Sequence, residues 1–311
     1  MADRGDNNFI RYIYRGEEGE IIPREATHIT IDKSCTFIRA HAFEDHPNIV
    51  EVICHDRVKK INIGAFRCCP NLRRVIMPGV KNAEGWAFGY CKALTDVECS
   101  KLEIIGSEAF SDCSSLRSIN LLSVRIFDTY AFDGCKALND IEFGSKLERF
   151  KERAFGDCPS LERITIPLKD GLFTEDDIFE GCHNLRHVDL VEGELLETVA
   201  ALQLEEWRND IDGEIYSINQ ILASSAGCYD ENGRQHPAQK TMVLRMWIRS
   251  VLYIINRYEE KHQRILGEAA TTLQLVLPQD IAMNSVLPFL ALPTHTFEGD
   301  EGKYESDEDY G

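Results

Sequence analysis

The sequence predicts an α/β repeat solenoid with a parallel sheet on one face, followed by a C-terminal α-helical hairpin. Three observations support this prediction. A skeleton of Ala-Phe, Cys, Leu and two alternating apolar residues returns along residues 26–190, as in "SEAFSDCSSLRSINL" at 107–121. Its cysteines recur every 22 to 24 residues, a spacing typical of stacked repeat units. From residue 194 the apolar residues change to the steps of amphipathic helices.

The first 25 residues are predicted to cover the N-terminal end of the stack. The stretch "FIRYIYRGEEGEII" at 9–22 contains two apolar runs around a Gly-Glu-Glu-Gly turn. That pattern is typical of a β-hairpin, so we expect an N-terminal capping hairpin over 1–25. The last repeat departs from the others with "LKDGLFTEDDIF", as terminal capping repeats do.

Each repeat is predicted to contribute one short strand and one buried Phe. The residues ten and twelve positions after the Ala of each pair are apolar and flanked by polar residues, the pattern of a half-buried strand. With Ile29 and Ile31 as the earliest pair, the chain should hold eight parallel strands. We expect the Phe residues to stack as an aromatic spine opposite these strands. The spine residues are Phe43, Phe66, Phe88, Phe110, Phe132, Phe155 and Phe179.

Six cysteines occupy one position of the repeat, at intervals of 22, 22, 22, 23 and 24 residues. Equivalent positions stack in a solenoid, and free cysteine is among the most buried residue types. We therefore expect a ladder of buried thiols instead of disulfides. An odd total of 11 cysteines, with no signal peptide and no membrane-spanning run, predicts a cytoplasmic location. The ladder residues are Cys69, Cys91, Cys113, Cys135, Cys158 and Cys182.

The repeat also resembles a known family. Its register, L-x-x-I-x-x-x-A-F-x-x-C-x-x-L-x-x-I-x-I/L-P, is seen in "LEIIGSEAFSDCSSLRSINL" and "LERFKERAFGDCPSLERITIP". This pattern is similar to the BspA-type leucine-rich repeat, family 5, over residues 26–190, or about seven to eight repeats. The resemblance implies a curved solenoid that binds other proteins through its strand face. The chain is also similar to intracellular members of the family that carry an added helical tail.

Residues 191–277 are predicted to form a helical hairpin and residues 278–311 an acidic disordered tail. Apolar stripes mark two helices, separated by the polar stretch 224–239. The segment "VLRMWIRSVLYII" at 243–255 is apolar on more than one side, so one partner helix cannot cover it. We expect it to dock on the last turn of the solenoid; a homodimer interface is the alternative. Seven acidic residues and one Lys in 298–311 are typical of a solvated, disordered segment.

The outward-facing residues of the strands are the predicted partner-binding surface. The centre of this face is acidic and can receive a basic segment of a partner protein. The net charge of −18 repels phosphate backbones, so no nucleic-acid partner is expected, and no membrane partner either. The candidate residues are Arg74, Ile76, Asp96, Glu98, Ser118, Asn120, Asp140, Glu142, Arg163 and Thr165.

The sequence holds no recognisable catalytic, cofactor or metal pattern. His183 and His187 are four residues apart, but no second ligand cluster accompanies them. We therefore expect a non-enzymatic protein–protein interaction module without cofactor or metal. One alternative is a structural protein that assembles through its C-terminal helices. Another is a cysteine-dependent ubiquitin ligase, because Cys228 stands in a Cys-x-Asp motif.

Overall fold

A computed structural model of the chain describes residues 9–175, 177–191, 205–224 and 239–276. The predictions for the tail at 278–311 and for Cys228 lie outside the described residues. The described chain runs from short β-strands to two α-helices, α1 (Glu205–Ser224) and α2 (Gln239–Val276). The strands are β1 (Arg11–Tyr14), β2 (His28–Ile31), β3 (Phe37–Ile38), β4 (Glu51–Ile53), β5 (Lys60–Ile61), β6 (Arg74–Ile76), β7 (Asn82–Ala83), β8 (Asp96–Glu98), β9 (Ile104–Ile105), β10 (Ile126–Phe127), β11 (Asp140–Glu142), β12 (Arg149–Phe150), β13 (Arg163–Ile166) and β14 (His187–Leu190).

The predicted repeat solenoid is confirmed, and its main sheet has two parallel parts. The first part has the order β1-β2-β4-β6-β8, and the second has the order β11-β13-β14. Neighbouring strands place equivalent residues side by side; Val75, for example, lies beside both Val52 and Val97. Because the buried residue of every strand meets its own counterpart, each turn covers the apolar side of the next. Seven of the eight predicted strands form.

The remaining predicted strand, at 118–121, does not form. Only Leu121 makes a bridge, to Phe143 of the next turn. The side-chain Oδ1 of Asn120 accepts a hydrogen bond from the N–H of Leu122 at 3.1 Å. Local bonds of this kind compete with ladder pairing, so the main sheet is interrupted between β8 and β11.

The predicted N-terminal hairpin does not form within residues 9–25. The segment supplies one strand, β1, which pairs in parallel with β2 and so extends the main sheet. No second strand forms among the described residues before β2. Instead, the Glu20 carboxylate accepts hydrogen bonds from the N–H groups of Arg15 at 3.0 Å and Glu17 at 3.1 Å, and from the hydroxyl of Tyr12 at 2.9 Å. The loop after β1 is therefore held by one carboxylate and not by a partner strand.

A second parallel sheet, which the sequence analysis did not predict, runs along another side of the turns in the order β3-β5-β7-β9-β10-β12. Each of its strands has only two residues, and the second of them is buried. These buried residues occupy the Ile position of the L-x-x-I part of the repeat. They are Ile38, Ile61, Ala83, Ile105, Phe127 and Phe150.

The aromatic spine forms as predicted. Successive Phe rings from Phe43 to Phe179 have centroids 4.8 to 5.9 Å apart, and every pair is stacked. Tyr14 continues the row at its N-terminal end, with its ring centroid 4.9 Å from that of Phe43. The spine is thus one continuous buried row, and each inner ring is covered by a neighbouring ring on both sides.

The cysteine ladder also forms, with all six thiols buried and free. Each thiol donates a hydrogen bond to the carbonyl oxygen of the spine Phe one turn earlier; Cys113 Sγ, for example, lies 3.2 Å from the oxygen of Phe88. In the first turn His46 occupies this position, and its Nε2 donates to the oxygen of Pro23 at 3.0 Å. The position therefore requires a small or planar donor, which explains why Cys recurs there instead of Ala.

The two helices cover the C-terminal end of the stack. In inner turns the N–H of the spine Phe donates to a carbonyl of the following turn. Among the described residues no repeat turn follows that of Phe179, and its N–H donates instead to Thr241 Oγ1 of α2 at 3.4 Å. On the strand side, the N–H of Val188 in β14 donates to Asn219 Oδ1 of α1 at 2.8 Å. Side chains of the helices thus replace the next turn as hydrogen-bond partners.

Two basic residues of α2 bind carbonyl groups of the last turns. The Lys240 ammonium donates to the oxygens of His183 at 3.1 Å and Leu185 at 2.6 Å. Burial lowers the pKa of Lys240 to about 8. Arg245 donates to the oxygen of Phe173 at 3.0 Å. Arg245 belongs to 243–255, so its contact shows that this segment docks on the solenoid.

The helices run antiparallel, as predicted. Trp247 Nε1 of α2 donates to the oxygen of Glu214 at 3.2 Å, and farther along α2 the hydroxyl of Tyr258 donates to Asp210 Oδ2 at 2.7 Å. The contact farther along α2 is thus made to an earlier residue of α1, so the two helices run in opposite directions. No helix among the described residues is both long and apolar enough to cross a bilayer.

Replacing Asn219 by Ala is expected to lower the free energy of unfolding by about 1–3 kcal/mol, because the buried N–H of Val188 would lose its acceptor. Urea unfolding under reducing conditions measures this change. The control is Gln220→Ala on the exposed side of α1, which should change stability by less than about 0.5 kcal/mol. Equal losses in the two variants would mean that Asn219 does not cap the sheet.

Candidate interaction surface

The outward side chains of the main sheet lie in two columns that run across the strands. Their spacing follows from the parallel register and is about 4.8 Å from one strand to the next. The first column holds Arg11, His28, Glu51, Arg74, Asp96, Asp140, Arg163 and His187. The second column holds Ile13, Thr30, Ile53, Ile76, Glu98, Glu142, Thr165 and Asp189.

Arg74 is the centre of an ion-pair cluster in the N-terminal part of this face. Its guanidinium lies 3.4 Å from Glu51 and 3.1 Å from Asp96, and it is hydrogen-bonded to Glu98. The bond to Glu98 is the largest cause of the raised pKa of Arg74. Two of the four acids predicted to receive a basic partner, Asp96 and Glu98, therefore already have a basic partner within the chain.

The other two acids of the predicted patch, Asp140 and Glu142, are exposed on β11. Neither forms an ion pair with another described residue. Farther along the sheet, Arg163 pairs with Asp189 at 2.5 Å. Among the acids of the two columns, the two on β11 are thus the ones without an ion pair to a described residue.

Ser118 and Asn120 are exposed in the turn that forms no strand. They lie between β8 and β11 and separate the Arg74 cluster from the acids of β11. Thr165 is half-buried next to Glu142. The structure therefore places the ten candidate residues on one face, but in two groups on either side of this turn.

An apolar run at the N-terminal end of the second column was missed by the sequence analysis. Ile13 is 54% exposed and Ile53 is 37% exposed. Between them Thr30 is exposed, and beyond them Ile76 is half-buried. We call these four residues the isoleucine strip. The alternation in "RYIY" matches that in "HITI", and this was the available signal that Ile13 belongs to the same column.

A groove of 420 Å³ opens beside the first column, where β2, β4 and β6 begin. Two of its side chains have structural roles, because the amides of Asn48 and Asn71 donate to the oxygens of Arg24 at 2.8 Å and Pro47 at 2.6 Å. Its lining is otherwise mixed in charge and polarity. The lining residues are Glu25, Thr27, Asn48, Val50, Asn71 and Arg73.

Within the described part of the chain, no group of three or more His, Cys, Asp and Glu side chains is arranged to hold a metal ion. His187 takes its place in the first column of the strand face, while the oxygen of His183 accepts a hydrogen bond from Lys240. His187 is therefore part of the main sheet, and His183 is part of the contact between the last turn and α2.

Comparison with known proteins gives one family match. The model of the BspA type leucine rich repeat region matches residues 24–123 and 103–200, with six copies. No curated protein matches the chain.

Several solved structures are similar to the chain. A leucine-rich repeat protein of T. pallidum is 20% identical, over 58% of this chain and 70% of that one, with a TM-score of 0.37. A leucine-rich repeat protein of Bacteroides ovatus is 22% identical over 54% of this chain, with a TM-score of 0.34, and the match spans only 56% of that protein. The pneumococcal vaccine antigen PcpA is 15% identical, over 59% of this chain and 72% of that one, with a TM-score of 0.29.

Proposed function

Because the chain belongs to the BspA-type leucine-rich repeat family, we propose that it is a non-enzymatic protein–protein interaction module that binds a partner through its strand face. Proteins with this repeat are typically interaction modules. The observation that carries the proposal is that the recurring apolar residues and thiols are buried in stacking, while the side chains of the two columns face outward in register, exposed or half-buried. A regular exposed array of this kind suits recognition of another protein.

The charge of the face supports a partner with a basic segment. Asp140 and Glu142 are exposed, and neither forms an ion pair with a described residue, since the neighbouring Arg163 pairs with Asp189. Charge complementarity of this kind steers association and excludes partners of like charge. The two acids of β11 are therefore the proposed electrostatic contact.

The alternative of assembly through the helices has less support. One apolar side of 243–255 packs inside the molecule, with Leu244, Ile248 and Val251 buried, and of its apolar residues only Met246 and Tyr253, on the other side, stay exposed. The alternative of a ligase that uses Cys228 concerns a residue outside the described ranges, and no described feature favours it.

Reversing both charges, as Asp140→Lys with Glu142→Lys, is expected to weaken binding of a strand-face partner by about tenfold or more. Proteins that the full chain captures from a lysate are quantified against those that the double variant captures. The control, Glu18→Lys with Glu260→Lys, makes the same charge change at exposed positions off the face. If the double variant retains every captured protein, the strand face is not the recognition surface.

A further inference from the structure

We propose that the isoleucine strip is the docking site for an extended partner segment whose apolar side chains pack on the strip and whose basic side chain reaches Asp140 and Glu142. The inference rests on the proposed function and specifies its partner. The two contacts differ in chemistry, lie on one face and would be made by opposite ends of a single bound segment.

The strip is an apolar feature that is interrupted once, by Thr30. Ile13, Ile53 and Ile76 belong to the same column, with only Thr30 between the first two. From Ile13 to Ile76 the column crosses three strand spacings, or roughly 14 Å. Isolated exposed isoleucines are ordinary on protein surfaces, but apolar residues grouped side by side mark interaction sites. Burial by a partner would remove the strip from water.

No described element of the chain covers the strip. Both helices pack at the other end of the stack, where they contact the last turns through Val188 and Phe179. The opposite face of β1, β2 and β4 already contributes Tyr14, Ile29 and Val52 to the core. The exposed isoleucines are therefore not needed to complete the described core.

The charges next to the strip set the chemistry of the rest of the partner segment. Glu98, the next residue in the column after Ile76, is already bound to Arg74. The first acids without a basic partner among the described residues are on β11, beyond the turn of Asn120. Ile76 and Glu142 are three turns apart, or roughly 14 Å. A basic side chain of the partner should therefore lie about 14 Å beyond its apolar contacts.

These distances define a segment in extended conformation. An extended chain advances about 3.3 Å per residue, and alternate side chains point to the same side. Two or three apolar residues at alternate positions can therefore span the strip. About four or five residues farther on, a Lys or Arg would meet Asp140 and Glu142. The partner is thus a segment of roughly nine residues, apolar at one end and basic at the other.

The experiment selects binders from a random peptide display library against the full chain. We expect the enriched peptides to place alternating apolar residues at one end and Lys or Arg at the other. A synthetic peptide with the enriched sequence should bind at least about tenfold more weakly to the triple variant Ile13→Thr, Ile53→Thr, Ile76→Thr. Threonine keeps the β-branched shape that suits strands, and Thr30 already occupies this column. The control is Ile63→Thr, 49% exposed and outside both columns.

Each outcome decides between the two proposals. Peptides that lose affinity for the Asp140→Lys, Glu142→Lys variant but not for the triple variant would overturn the strip as a docking site and leave the proposed function standing. Peptides insensitive to both variants would contradict both proposals. Failure to enrich any peptide would overturn the extended segment alone, since the capture experiment tests the face separately. A change of molecular mass by light scattering in the triple variant would show that a second copy of the chain occupies the strip.

Discussion

Above about pH 9 the protein is expected to lose its folded structure within roughly one to two pH units, because its buried thiols cannot ionise while the chain is folded. Burial raises the pKa of both Cys54 and Cys99 to about 12, from an ordinary value of 9.0. Burial is also the largest cause of the raised pKa values of four ladder thiols, which lie well above the ordinary range. Those thiols are Cys91, Cys113, Cys135 and Cys158.

The direction of the effect follows from proton binding. Between about pH 9 and pH 12 the folded state keeps thiol protons that the unfolded chain releases, so the free energy of unfolding falls as pH rises. Each thiol lowers the free energy of unfolding by about 1.4 kcal/mol per pH unit, so six thiols lower it by about 8 kcal/mol per pH unit. That loss is comparable to the whole stability of a typical domain. Lys240 acts in the opposite direction, because its pKa is lowered to about 8 from 10.5. One lysine offsets only one thiol.

Urea unfolding at a series of pH values from about 7 to 10.5, with a reductant present, measures this loss. The variant Cys99→Ala should lose stability less steeply than the parent, by the share of one thiol. Exposed groups do not produce this difference, because they titrate alike in the folded and unfolded states. A free energy of unfolding that stays constant to about pH 10.5 would contradict the buried ladder.

Replacing Phe132 by Ala is expected to lower the free energy of unfolding by about 3–5 kcal/mol. Its ring lies between those of Phe110 and Phe155, at centroid distances of 5.0 and 5.2 Å. Because the strands hold successive turns at a fixed spacing, the neighbouring rings cannot move together to fill the cavity. Urea unfolding measures the loss.

The control for the spine is Phe37→Ala. Phe37 is 44% exposed on β3, so its removal should cost less than about 1 kcal/mol. If the two variants lost the same stability, the spine would not be a continuous buried row.

The repeat positions predicted most of the core, because one constraint acts on every turn. The side chains of Cys113 and Phe110, for example, are buried because similar turns lie before and after their own turn. The second sheet was not predicted, because its two-residue strands are too short to show alternation. The strand at 118–121 was predicted but fails, because the side chain of Asn120 bonds to its own turn. A local hydrogen bond of this kind can prevent a strand from forming although the repeat pattern of the sequence is intact.

The sequence predicted where the candidate surface lies, but not that Arg74 pairs with its acids Asp96 and Glu98. The repeat register fixes which residues face outward, and all ten candidates lie on one face. It also places Arg74 beside Asp96, but the choice of partner depends on the rotamer of a long side chain, which repeat spacing does not determine. Ile13 was missed for a different reason. Its segment was interpreted as a hairpin, and only the parallel pairing of β1 brings Ile13 into the column.

The claim that identical turns bury each other's thiols is tested most directly by labelling the folded protein with an alkylating reagent and mapping the labelled cysteines by mass spectrometry. We predict that Cys69 and the other five ladder residues react only after unfolding. The neighbouring Cys68, which is partly exposed, should react in the folded protein. Ladder cysteines that are labelled as fast as Cys68, or recovered as disulfides, would contradict the stack.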